Sequence, residues 1–254
     1  MIFALHGLLG CGADFDPLGR GLDPQFSLYS PDLPGHGSRG NEREITLDST
    51  ISYLRACHAR NAPSARVLLG YSMGGRIALN WAVKEPNRFD ALILISTSPG
   101  IRDPQEREKR LLSDQTWIES LKAIERSAWL KLWEQQPVFK TPAPISKSVG
   151  SQVDKQRMLA DPDGWIAAMQ GLGNGVIPFL ENPLQHCNLP CLLISGEADR
   201  KFQKIHTNLA KSPAVNNVII EQSGHRPHLE QPLKTALMIN KFLETLEPLK
   251  KRSS

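Results

Sequence analysis

Short apolar runs separated by turn residues punctuate the chain. Ile2–Leu5, Ser27–Ser30, Arg66–Leu69, Ala91–Ile95, Cys191–Ser195 and Asn217–Glu221 are each four or five residues long and built around apolar side chains. That is the pattern of strands buried on both faces of a parallel sheet. Between them the period changes. Asp48–Ala59 carries Ile51, Leu54 and His58 at helical spacing, and Gly74–Lys84 runs on until Pro86 stops it. Strand–helix alternation of this kind predicts an α/β fold, a doubly wound and mostly parallel sheet with helices on both faces.

The rhythm fails once. Far more residues lie between Ile95 and Cys191 than a single crossover needs. Trp117, Leu121, Ile124, Ala128 and Leu132 recur there at three- and four-residue intervals, and turn signals follow at Pro142-Ala143-Pro144 and Gly171–Gly175. A helical cap inserted after the fourth strand is expected. The division is then a core of residues 1–97 and 188–254 and a cap of 98–187.

Length and charge narrow the options. A chain of 254 residues can bury the core of one α/β domain with an inserted lobe. The formal charge of +4 owes much to Lys250, Lys251 and Arg252 near the terminus, so the body is close to neutral and nucleic acid is not an expected partner. Cys11, Cys57, Cys187 and Cys191 form no C-x-x-C pair, which argues for reduced thiols and against a zinc site. The apolar start "MIFALHGLLG" lacks a basic leader and is broken by His6-Gly7, so neither a signal peptide nor a membrane span is expected. A cytoplasmic protein without metal or organic cofactor is the expectation.

The candidate chemistry centres on "GYSMGG", residues 70–75. Gly70-Tyr71-Ser72-Met73-Gly74 reads G-x-S-x-G between a strand and a helix, the setting of a sharp elbow that exposes a serine. Such a serine needs an imidazole, and the imidazole needs a carboxylate to fix its tautomer. Asp199 in "ISGEADRKF" and His225 in "IEQSGHRPHLEQP" follow in the order Ser, acid, His, each after its own strand. Glu197 is the alternative acid and His228 the alternative base. An oxyanion hole would take one backbone N–H from Met73 and a second from the "HGLLG" loop, at Leu8. His36, in "DLPGHGSRG", is read as part of a turn and given no catalytic task.

Together these residues resemble the α/β-hydrolase superfamily over nearly the whole chain. "GYSMGGRIAL" (70–79), "SPGI" with "EREKR" (98–101, 106–110), "WEQQPVF" (133–139) and "SGEADRKF" (195–202) are similar to one branch of it. That branch makes 2-succinyl-6-hydroxy-2,4-cyclohexadiene-1-carboxylate in menaquinone biosynthesis. The resemblance implies a lyase that eliminates pyruvate from an enolpyruvyl cyclohexene, with Ser72 activated by His225 as a base on carbon. A small anionic substrate with three carboxylates calls for guanidinium groups. Matching positions imply Arg76 and Arg110, with Arg107 as a helper, Trp133 as a flat wall, Tyr71 beside the serine, and Arg157 as a further cap arginine. Because the first strand starts beside Met1, the leading β-hairpin of that superfamily is expected to be missing. A carboxylesterase or carbon–carbon bond hydrolase could use the same triad, and a non-catalytic ligand-binding module could keep the fold.

Overall fold

A computed structural model describes residues 1–246, and in it six apolar runs lie side by side as parallel strands. The core elements up to the cap are β1 (Ile2–Leu5), α1 (Asp16–Gly19), β2 (Leu28–Tyr29), α2 (Leu47–Asn61), β3 (Val67–Tyr71), α3 (Met73–Lys84) and β4 (Ala91–Ile95). The long connection after β4, expected to form a cap, holds α4 (Pro104–Ala123), α5 (Arg126–Glu134), α6 (Lys147–Leu159), α7 (Pro162–Leu172) and α8 (Pro183–Cys187). The chain then returns through β5 (Cys191–Gly196), α9 (Arg200–Leu209), β6 (Val215–Ile220), α10 (Pro227–Glu230) and α11 (Pro232–Glu244). The strand order is β2-β1-β3-β4-β5-β6, with β3 and β4 in register from Val67 opposite Ala91 to Tyr71 opposite Ile95.

Each face of the sheet has its own core, because side chains alternate along a strand. Phe3, Leu68, Leu92, Leu94 and Leu193 point into a cluster that also takes Ile51 and Leu54 of α2, Ile77 and Trp81 of α3, and Leu184 and Cys187 of α8. Ile2, Ala4, Leu69, Ile93 and Ile194 face the other way, against Phe15, Leu18 and the α11 residues Ala236, Ile239, Phe242 and Leu243. His58 joins the first face, where its Nε2 lies 2.8 Å from the Ala65 carbonyl oxygen.

Boundaries shift where an edge is wet. β2 keeps only Leu28 and Tyr29, shorter than the polar-flanked run suggests. β6 spans Val215–Ile220, two residues earlier than the run starting at Asn217, because Val215 pairs with Cys191 and the outer strand tolerates exposed Asn216 and Asn217. The basic residues Lys250, Lys251 and Arg252 lie outside the described residues.

The cap departs more from its apparent periodicity. Asp103 accepts from the N–H groups of Gln105 and Glu106 and Pro104 opens α4, a strong helix start. α4 ends at Ala123, and Glu125 caps α5 by accepting from Ala128 N–H at 3.1 Å. The break turns the expected row out of register: Ile124 is 38% and Leu132 47% exposed. The buried row is Ile118, Leu121, Trp129 and Trp133. Trp129 stacks on Trp133 at 5.0 Å and Trp117 meets both edge-on, which gives this lobe an aromatic centre.

Leu94 sits in the middle of the sheet, fully buried between Gly70 and Leu193. Leu94→Ala should cost about 2–5 kcal/mol through lost burial and a residual cavity. A urea titration of both proteins reads this as a lower midpoint at unchanged slope; an unmoved midpoint would contradict the packing.

Candidate active site

Ser72 joins β3 to α3 at φ 51° and ψ −110°, a conformation rarely held by a residue with a side chain. Its N–H donates to the Ile95 carbonyl at 2.9 Å, and Thr97 Oγ1 donates to its carbonyl at 2.8 Å, so neighbouring β4 holds the bend. The glycines have a steric reason. A Cβ on Gly70 would lie 2.6 Å from the Gly74 oxygen and from Gly75 Cα, and one on Gly74 would run into the Leu5 carbonyl. The elbow is wedged against the end of β1 and leaves no room for side chains.

Three loops at the carboxyl ends of strands converge here. His225 Nε2 lies 3.2 Å from Ser72 Oγ, and its Nδ1 lies 2.8 Å from Asp199 Oδ2. With Nδ1–H donated to the carboxylate, Nε2 is left to accept the serine proton. Both His225 and Asp199 are buried. Phe202, Tyr71 and Phe139 pack around the imidazole with ring centroids 4.8, 5.4 and 6.0 Å away. The alternatives separate cleanly. Glu197 is exposed and accepts from Gln222 N–H at 2.9 Å. His228 is buried against Tyr71 and Phe15, and burial with the Arg226 charge pushes its basicity down to about 3.

Met73 opens α3, and Leu8 lies in the loop after β1; both border the cavity above Ser72. Two buried histidines brace that loop. His6 Nε2 accepts from Leu33 N–H at 2.9 Å, so its Nδ1–H donates to the Gly7 carbonyl at 2.8 Å. His36 Nε2 accepts from Leu9 N–H at 3.2 Å, with Nδ1–H directed to the Pro34 carbonyl at 3.1 Å. Leu9 is thereby held at φ 64°. Burial lowers the basicity of both, His36 to about 3 with help from His6, so both rings remain neutral acceptors at physiological pH. His36 is thus more than a turn residue, since it anchors the loop that carries Leu8.

The cavity measures about 240 Å³ and is walled by Trp133, Phe139 and Phe202. Arg76, Arg110, Arg157, Lys201 and Arg226 all border it. Arg76 stands one helical turn beyond Ser72 and is 8% exposed, yet among the described residues the only hydrogen-bond partner of its guanidinium is the Leu172 carbonyl at 3.5 Å. Burial, and then the Arg110 charge, pull its guanidinium down to about 9. Arg110 pairs with Asp114 at 2.8 Å. Burial likewise lowers the basicity of Lys201. On the other side Arg157 and Arg226 both donate to Glu134 Oε1, at 2.6 and 2.9 Å.

Arg107 corrects the expectation that it helps bind substrate. Its Nε donates to the Gly175 carbonyl at 2.7 Å and its Nη2 to the Val176 carbonyl at 3.0 Å, so it braces the turn after α7 and is absent from the cavity wall. Lys201, Arg226 and Glu134 escaped the sequence reading. Arg226 directly follows His225, and Glu134 lies within "WEQQPVF", so each stood beside a flagged position.

The chain is similar to known proteins along nearly its whole length. Residues 2–236 match the model of the "Alpha/beta hydrolase family". A 2-succinyl-6-hydroxy-2,4-cyclohexadiene-1-carboxylate synthase from Photorhabdus laumondii is 34% identical over 94% of this chain and 84% of its own. A protein from Bacillus subtilis named as a putative synthase of the same compound is 28% identical over 96% of this chain and 90% of its own. Among solved structures, MenH from S. aureus superposes with a TM-score of 0.88 at 28% identity, covering 96% of this chain and 92% of that one.

The neutral histidines make stability depend on pH. Their folded-state basicity lies below the ordinary value of about 6.5, so above that pH they cost nothing. As pH falls through it the unfolded chain takes up protons first, and the folded state loses stability down to about 3 for His36. Denaturant midpoints should therefore decline between pH 7 and 4, and His36→Gln should flatten that decline; parallel curves for the two proteins would contradict the assignment.

Proposed function

The chain belongs to the alpha/beta hydrolase family and groups with its 2-succinyl-6-hydroxy-2,4-cyclohexadiene-1-carboxylate synthases, and we infer that it is a lyase of that specificity. It eliminates pyruvate from 2-succinyl-5-enolpyruvyl-6-hydroxy-3-cyclohexene-1-carboxylate. The observation that carries this reading is the cavity itself, in which a Ser–His–Asp triad opens among five cationic side chains. An ester hydrolase has no need of so many cations around its serine, of which Arg76, Arg157 and Arg226 are buried, whereas a substrate with three carboxylates does.

In this reading Ser72 and His225 act as one base. Ser72 Oγ takes the ring proton α to the succinyl ketone while its own proton passes to His225 Nε2. Asp199 keeps the imidazole in the accepting tautomer and stabilises the imidazolium that forms. Charge moves onto the ketone oxygen, which the N–H groups of Leu8 and Met73 hold. The electron pair returns through the ring double bond and expels the enolpyruvyl oxygen from carbon 5. The C–H and C–O bonds are broken, the ring becomes the 2,4-diene, and the released enol becomes pyruvate. Tyr71 and Trp133 form the walls against which the ring lies. Arg76 and Arg110 hold carboxylate on the α3 side. The serine never becomes acylated.

Among the described residues no helix is long and apolar enough to cross a membrane. Four unpaired, buried cysteines favour a reducing compartment, in keeping with a cytoplasmic biosynthetic enzyme.

The decisive assay follows diene absorbance and pyruvate release from the enolpyruvyl substrate, beside a p-nitrophenyl ester. Fast elimination with negligible ester cleavage is expected; ester cleavage without diene would replace the lyase by a hydrolase. Ser72→Ala should lower turnover at least about hundredfold at unchanged melting temperature. Arg76→Ala should raise KM at least about tenfold while leaving melting temperature equal or higher, because it removes a buried, unpaired charge. Unchanged kinetics would take Arg76 out of the site.

A further inference from the structure

The cations of the cavity fall into two groups. Arg76, Arg110 and Lys201 stand towards α3 and α4, where Asp114 pairs with Arg110. Arg157 of α6 and Arg226 of the His225 loop make up the other group, joined through Glu134 at the end of α5. Both arginines of this second group are nearly buried, 8% and 7% exposed, and both donate to the same oxygen, Glu134 Oε1. Two guanidinium groups thus share one carboxylate. Glu230 lies 3.8 Å from Arg226 Nε, too far to hydrogen-bond, and that Nε has no partner among the described residues. Asp14, also on the cavity wall, is the other carboxyl near this group, and burial pushes both it and Glu230 towards the neutral form. The second group therefore offers two guanidinium groups for one hydrogen-bonded carboxylate, with the Nε donor of Arg226 unused.

Its position relative to the chemistry is set by two contacts. Arg157 Nε donates to the Leu9 carbonyl at 3.4 Å, next to Leu8, and Arg226 follows His225 directly. Phe139 lies under the Arg226 guanidinium, 4.9 Å from ring centroid to Cζ, and keeps it flat. This site is thus adjacent to the groups that hold the ketone and move the proton. In the proposed substrate, the carboxylate tethered to that ketone is the terminal one of the succinyl chain, two methylenes away.

We propose that Arg226 is a specificity-determining residue that forms, with Arg157, a paired-guanidinium site for the succinyl carboxylate. Glu134 is its positioning residue, aligning the two guanidinium groups from one oxygen. The identity of the ligand rests on the lyase reading; the existence of a second anion site does not.

The test is calorimetric binding of two unreactive aryl ketones, 2-succinylbenzoate and 2-acetylbenzoate, which differ in the succinyl carboxylate. The unmodified enzyme should bind 2-succinylbenzoate at least about tenfold more tightly. Arg226→Gln should erase that preference and leave 2-acetylbenzoate binding within about twofold, and Arg226→Lys should weaken it in part, since it keeps charge but loses the fork. Loss of the preference in Arg226→Gln with partial retention in Arg226→Lys supports the site, even if the enolpyruvyl substrate is not turned over. Equal weakening of both compounds, a preference that survives Arg226→Gln, or no preference in the unmodified enzyme overturns it. Normal elimination kinetics beside any of those last results would leave the lyase standing and remove only this site.

Discussion

Ser72 can occupy its left-handed backbone position only because glycine surrounds it and β4 grips it. The chain turns sharply out of β3, presses Gly74 against the end of β1, and starts α3 at Met73. Every other feature of the site is referred to that bend. The bend points Oγ at His225, places Met73 on the cavity wall, and sets Arg76 one turn further along the same rigid helix. Strain of this kind persists only when its surroundings over-determine it. Here the surroundings are the sheet centre itself, so the precision of the site and the stability of the core rest on the same contacts.

The second constraint is charge. Five cations line a cavity of about 240 Å³; Asp114 pairs with Arg110, Glu134 with both Arg157 and Arg226, Glu230 stands 3.8 Å from Arg226, and Asp14 shares the wall. Arg76 has a backbone carbonyl alone. Leaving buried cations underpaired destabilises a fold, and such a cost is characteristic of a site arranged for an anionic ligand. Glu134 itself illustrates the balance. Burial alone would raise its pKa, yet Arg226 and Arg157 together hold the carboxyl below its ordinary range. It remains ionised and keeps both arginines aligned.

Much of this was legible because it is local. The elbow, the triad order and the strand runs are each read within a short window whose residues determine one another. What stayed hidden depends on long-range pairing. Glu134 and Arg226 are 92 residues apart, and His36 reaches Leu9 across 27. No periodicity announces such contacts. α4 is a different case. It buries little besides Asp114, Ile118 and Leu121, so its apolar stripe is too thin to say which of Arg107 and Arg110 faces inward. The neighbouring row through Ile124 and Leu132 misled for a related reason. Continuous spacing looked like one helix, but Glu125 ends one helix and starts the next, and the phase is reset there.

The same triad geometry can serve attack on a carbonyl or removal of a proton from carbon, so the triad does not choose between them. Choice lies in which atom of the bound molecule stands before Ser72. An apolar slot orients a substrate weakly, whereas charged groups fixed on separate rigid elements define a direction across the ring. Arg76 on α3 and the Arg157–Glu134–Arg226 bridge are two such separately held groups on the wall of the cavity that Ser72 borders. In the reading proposed above, a substrate held by carboxylates at both points would present its ring edge, and with it the acidic C–H, to the base. An uncharged ester finds no such hold and would have to leave those guanidinium groups unsatisfied. On the proposed reading the choice of elimination lies with these charges, while the elbow supplies a base that would serve either reaction.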